Sequence, residues 1–458
     1  MKYIGSFFRI NTLKKDNIQK QLFYLSKESV NYIVLKSKCG ITMSVKELKA
    51  KNIPNLDINT IKPFSPLLCV YKKSSPKMVS EDNKVYWDED TFRKKVTISS
   101  NAFMSLCLLE LSDYFKTFKD IDSTKYNYYH IYNFIAKSQL EFYTSYLRNE
   151  EGVFVDKKDA ANNVLEEIKF ECKEKNFNFS DQAFLMAAFY KYSSDVSRNE
   201  HNAFYEFSMD ILKMFLHFKD QLYNISYKEL NKLCLALNIF YDYSKNKEGR
   251  LLLLDICEFL LETYKNNCMI SSEEKVENEC MTYLNFYLCS KNTGITKFMD
   301  EADLISRKLY DMYDPDSEMF ITNIDKKEVT YTSTEIMLYL LVMLICSGDT
   351  ENDYGSAAES VFKNMVIDSG LILSWPDAPN LNDRERYNNY SLNTEDMIDE
   401  INFRVPSMPL PESSELAPVF IKHIVFNRKK NIFTPGKTSF DSEKNFLIFF
   451  LIIYLRRL

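Results

Sequence analysis

TSTEIMLYLLVMLICS, residues 332–347, decides how the rest of the chain is read. Thr332 and Glu335 have the spacing of a capping box, in which hydroxyl and carboxylate each satisfy a free backbone donor at a helix start. The residues after them are apolar around almost the whole circumference, the pattern of a helix buried on every side. Five more stretches share it, at 100–117, 180–194, 226–243, 273–290 and 442–457. Ser226 and Glu229 repeat the capping box, and Ser180 is a further cap.

A second set of segments alternates with the first and is more amphipathic. Its members are 127–147, 199–219, 247–265, 294–312 and 354–369, with 160–175 read as a further helix. Similar short extended segments, 150–159, 317–328 and 369–377, follow amphipathic helices. Buried helices start near 180, 226, 273 and 332, a spacing of about fifty residues, which is the mark of stacked helical hairpins. Nine glycines in 458 residues leave few tight turns and argue for long helices over a many-stranded sheet.

Six such pairs, each with one nearly all-apolar helix, suit closure into a ring. The layout resembles the (α/α)6 toroid of the six-hairpin glycosidases and related sugar-active enzymes, over roughly residues 100–458. The fold class expected is therefore mainly α, an (α/α)6 toroid of about six hairpins with a small β-containing N-terminal region. Residues 1–98 carry the β reading, from the runs YIGSFFRI, KQLFYLS, NYIVLKS, PLLCVYK and KVTIS. Residues 99–458 form the toroid, and 442–457 is its last inner helix, closing the ring between 332–347 and 100–117.

Residues 370–440 are read as a long cap loop. They hold Trp375, one of two tryptophans, and seven of the twelve prolines. Connections this long in a compact domain are lids, binding loops or disordered segments, and aromatic residues spread along this one favour an ordered cap.

The resemblance implies a carbohydrate-active enzyme of the hydrolase, lyase or epimerase kind, with a saccharide ligand and an acidic loop-built site at the mouth. Glycoside hydrolysis uses two carboxyl groups flanking the scissile bond. Asp377, Glu395 and Glu412 are the catalytic candidates, and Trp375, Arg384 and Arg386 the substrate-binding ones. Asp377 ranks first, because a carboxyl on a rigid turn beside an indole ring is expected to be partly desolvated and so protonated. Each has a plainer reading. The acidic run at 395–400 suits a solvated surface, Trp375 a packing anchor, and Arg404 a member of an ion pair within the cap. The alternative function is a non-catalytic toroid that binds or scaffolds.

Other classes find little support. Four scattered histidines lack metal-ligand spacing, and no phosphate-binding glycine loop occurs, so no metal or cofactor is expected. A net charge of -6 with no basic stripe gives no case for nucleic acid. The apolar run near the C-terminus, Phe446 to Leu455, is half a bilayer span, so no membrane insertion is expected. Cys107, Cys234, Cys257, Cys280, Cys289 and Cys346 lie in apolar helical patterns and read as buried thiols in a reducing, cytoplasmic setting.

Overall fold

The computed structural model describes residues 13–43, 64–81, 84–160, 168–171, 177–195, 201–266, 275–322, 326–348, 352–387 and 400–456. Among them, twelve helices build the ring. The inner six are α2 (Ile98–Lys116), α4 (Phe179–Asp195), α6 (Tyr227–Ser244), α8 (Lys275–Thr293), α10 (Ser333–Cys346) and α12 (Ser442–Leu455). Each packs on the next, and α12 packs on both α10 and α2, so the ring closes. The fold is an (α/α)6 toroid.

The outer wall comprises α3 (Ser123–Tyr146), α5 (His201–His217), α7 (Lys247–Lys265), α9 (Thr296–Tyr310), α11 (Tyr354–Val361, continued by a π-helical turn to Ile367) and α1 (Lys15–Leu35). Helix α1 pairs with α12 and touches its outer neighbour α11 and inner helix α2. The sixth outer helix therefore comes from the opposite end of the chain. The segment 160–175 does not supply it, since its described part holds the strand Phe170–Glu171.

The N-terminal strand reading holds in part. PLLCVYK contains the strand Leu67–Val70 and KVTIS the strand Lys95–Val96, whereas KQLFYLS and NYIVLKS lie on α1. YIGSFFRI falls outside the described residues. Ile18, Leu22, Leu25 and Ile33 are fully buried at helical spacing along one face of α1. The ring buries that stripe, and tertiary packing overrides the β-branched and aromatic composition.

Every connection from an outer helix to the next inner one emerges at the end where the inner helices start. The small sheets sit there. Glu328–Thr332, His423–Asn427 and Ile432–Pro435 form one, with Thr332 opposite His423. Lys95–Val96, Lys157–Asp159 and Phe170–Glu171 form another. The inner helices are buried nearly throughout, and the Phe103 ring packs at a tilt on Phe184 and Phe450, with centroids 4.4 and 5.8 Å away, which joins the first inner helix to the second and the sixth. No described helix is long and apolar enough to cross a membrane.

Candidate active site at the mouth of the ring

The segment 370–440 leaves α11 at Gly370, whose φ of 75° is a left-handed conformation open to glycine at little cost. Ile372 bridges Phe420, so the outgoing and returning legs lie side by side. Between them the described residues run as a strap along α1. Trp375 is 0% exposed, packs edge-on against Phe362 and donates its indole N–H to the Phe403 carbonyl at 2.9 Å. It offers no open face to a sugar ring. The Tyr24 hydroxyl of α1 donates to the Asp377 carbonyl at 2.7 Å.

The side chain of Asp377 is 63% exposed and pairs with Arg404 at 3.0 Å, so the indole does not desolvate it. Arg386 is buried over the Phe403 ring, and Arg384 is exposed. Glu412 is exposed and accepts from the Tyr32 hydroxyl at 3.0 Å. Tyr24 and Tyr32, which hold the Asp377 main chain and the Glu412 carboxylate, are two turns apart on α1. Glu395 lies outside the described residues. The strap gathers Trp375, Asp377 and Arg386 around Phe403 and Arg404, and sets Glu412 apart from them against Tyr32 of α1.

A different set of charged side chains meets at the mouth, one from the first turns of each of several inner helices. Lys232 on α6 and Glu443 on α12 form an ion pair of 2.7 Å. These helices are third and sixth of six, so the pair crosses the ring axis and divides the mouth in two. Asp181 stands on the second inner helix in one half, and Glu335 on the fifth in the other.

Burial pushes the Asp181 carboxyl up to about 7, against the pull of Lys232. Its Oδ2 accepts from the Asn178 amide at 3.0 Å. Burial likewise pushes Glu335 up to about 7, with Glu277 adding to the rise and the Thr332 backbone hydrogen bond and Lys444 opposing it. Burial works against both charges of the bridging pair, but the partners outweigh it. Lys232 is raised by Glu443, Asp181 and Glu229, and Glu443 is lowered by Lys232, Lys72 and Lys228. The mouth therefore holds protonatable carboxyls beside an ionised pair, and environments that push like groups apart assign acid and base roles.

Most of these residues also serve the backbone. Glu335 completes its capping box with Thr332. Glu229 accepts from Ser180 N and Oγ at 2.8 and 2.9 Å, and so caps the neighbouring inner helix. Asp156 accepts from Ile98 N at 2.9 Å at the start of α2 and pairs with Lys95 at 3.1 Å. His423, its imidazole pKa lowered by burial and by Lys422 and Lys444, sits on the strand paired with Thr332. No group of three His, Cys, Asp or Glu among the described residues is arranged to hold a metal ion. The signal missed in the sequence was charge in the first turn of otherwise apolar helices, where capping was the sufficient explanation.

The ring with its mouth is an (α/α)6 toroid. The chain is similar in fold to cellobiose 2-epimerase from Bacillus thermoamylovorans B4167, with a TM-score of 0.50 at 9% identity over 85% of this chain and 92% of that one. A D-mannose isomerase superposes with a TM-score of 0.47 at 10% identity over 85% and 92%. A sugar epimerase from a ruminal bacterium gives 0.45 at 12% identity over 65% and 80%. No protein-family model matches the sequence, and no curated protein matches it.

Proposed function

We propose that this protein is a carbohydrate-active enzyme whose site is the divided mouth of the ring. The observation that carries the reading is the pair of buried carboxyls, Asp181 and Glu335, held near neutral pKa on either side of the Lys232–Glu443 bridge. A general acid works best when its pKa lies near the working pH. In this reading Asp181 donates a proton to a sugar oxygen, Glu443 supplies the ionised carboxylate, and Lys232 orients both. The fold likeness to a sugar epimerase supports the substrate class only by analogy of fold. Trp375, Asp377, Arg386 and Glu412 hold the strap in place, and Arg384 and Glu395 keep their places as candidate ligand-binding and acid residues.

The test is a panel of aryl glycosides, oligosaccharides and reducing sugars, assayed for hydrolysis, elimination and epimerisation. Asp181→Asn is expected to lower any turnover found by at least about a hundredfold. Absence of turnover across the panel, or full activity in Asp181→Asn, rejects the reading.

One observation favours the alternative of a non-catalytic binding toroid. The same ion pair spans the mouth, and the inner helices are closely packed, with Phe103, Phe184 and Phe450 in contact and buried. Saccharide binding without turnover, weakened by Lys232→Met, would distinguish it.

A further inference from the structure

Three cysteines from three consecutive helices meet inside the wall of the ring. Cys234 stands on inner helix α6, Cys257 on outer helix α7 and Cys289 on the next inner helix, α8. Each is 0% exposed. The Cys234 and Cys257 sulfurs lie 3.2 Å apart. Two unbonded carbon atoms rest at about 3.5–4.0 Å, and sulfur is larger, so this pair is already closer than an ordinary core contact. Helices α6 and α7 pack on each other, and a disulfide of about 2.05 Å asks for a shift of little more than an ångström between the two sulfurs. The Cys257 thiol also hydrogen-bonds Cys289.

The three sulfurs are not equivalent. The Asn238 amide, one turn along α6, donates to Cys234 Sγ at 3.8 Å and favours negative charge there. Burial and the hydrogen bond with Cys234 push the Cys257 thiol well up, against the hydrogen bond with Cys289. The hydrogen bond with Cys257 and burial push the Cys289 thiol up as well. The thiolate is the reactive form, so Cys234 is the sulfur that reacts first, with Cys257 touching it. Enclosure shuts out bulky reagents and selects a small neutral oxidant.

We propose that Cys234 and Cys257 form a site of oxidative modification, at which a small hydroperoxide makes a disulfide between α6 and α7. The Cys234 sulfur attacks one peroxide oxygen. The O–O bond breaks, and with hydrogen peroxide the leaving hydroxide takes up the thiol proton as water, so that Cys234 becomes a sulfenic acid. The Cys257 sulfur then attacks Cys234. The S–O bond breaks, and the departing hydroxyl leaves as a second water with the Cys257 proton. Two thiols have passed two electrons to one peroxide. Cys289 competes for Cys257, and the 3.2 Å contact favours Cys234. The new bond spans 23 positions of chain and ties the outer helix to the inner one. The site stands independently of the reading given to the mouth.

The test treats the folded full chain with hydrogen peroxide at pH 7.5, blocks the remaining thiols with N-ethylmaleimide and maps cross-linked peptides by mass spectrometry without reduction. The Cys234–Cys257 link is expected as the main cross-link, with a melting temperature raised by about 2–4 °C and restored by dithiothreitol. Cys257→Ala should abolish both the link and the rise. Cys289→Ala should keep both. A folded chain that gives no Cys234–Cys257 link overturns the proposal, and so does a link that forms only after unfolding in urea. A main link between Cys257 and Cys289, or cross-links spread evenly over the other cysteines, overturns it equally.

Discussion

The ammonium of Lys232 lies 2.7 Å from the carboxylate of Glu443, on the inner helix directly opposite in the ring. The same two helices meet again at the far end, where the Tyr454 hydroxyl donates to Asp242 at 3.0 Å. Helices α6 and α12 are thus tied across the axis at both ends, with aromatic packing between. Removing one partner of the mouth pair leaves the other partly buried and uncompensated. Lys232→Met and Glu443→Gln should each cost about 1–3 kcal/mol, less than a fully buried pair because solvent still reaches both. The double variant should recover part of that loss. Strictly additive unfolding free energies in a double-mutant cycle would show that the bridge carries no coupling.

The raised carboxyls at the mouth set a pH dependence with a definite sign. Asp181 and Glu335 titrate near 7 in the folded chain and about three units lower when unfolded. Between those values the native state binds more protons, so stability falls as pH rises through roughly 4 to 7. The cost is complete above pH 7. Asp181→Asn should flatten this fall and be more stable than the parent at pH 8. Urea midpoints at pH 5 and pH 8 measure it, and parallel shifts in both proteins would contradict the assignment.

Glu385 has the opposite sign. Burial opposes its charge, but Lys27 and Lys125 hold the carboxyl down to about 2. Its contribution is present above the unfolded value of about 4.3 and is lost as pH falls towards 2. Glu385→Gln should cost about 3–5 kcal/mol at neutral pH, since two lysines lose their shared partner. It should also make acid unfolding shallower between pH 4 and 2. Circular dichroism melts across that range would show whether it does.

The strap depends on Trp375. Its ring is fully enclosed, and its N–H holds the Phe403 carbonyl. Trp375→Ala should cost about 3–5 kcal/mol and expose the strap to limited proteolysis before the ring unfolds. Simultaneous loss of strap and ring would mean that the strap is integral to the ring's stability.

Asp377→Asn should do very little. The pair with Arg404 is exposed on the Asp377 side, and such pairs contribute about 0–1 kcal/mol. Melting temperature within a degree or two of the parent, and unchanged turnover on any substrate found, are the expected results. A hundredfold loss of turnover would return Asp377 to the site.

Local pattern alone determined the inner helices, the alternation of inner with outer, and the closing role of 442–457. Periodicity and capping, as at Thr332 and Glu335, act within a few turns of chain and need no partner to be visible. Residues 20–37 were misread because their short β-branched and aromatic runs outweighed the helical spacing of Ile18, Leu22, Leu25 and Ile33, a face that α12, more than four hundred residues away, helps to bury. The path of the strap was equally hidden. SWPD carries the composition of a sugar site, but only the packing of Trp375 on Phe362 and of Asp377 on Tyr24 places it on the outer flank. Asp181, Lys232, Glu335 and Glu443 were in plain view as ordinary helix-start residues. Ring closure brings their helices together at one end, and burial there moves their proton affinities, so the candidate site exists only in the tertiary structure.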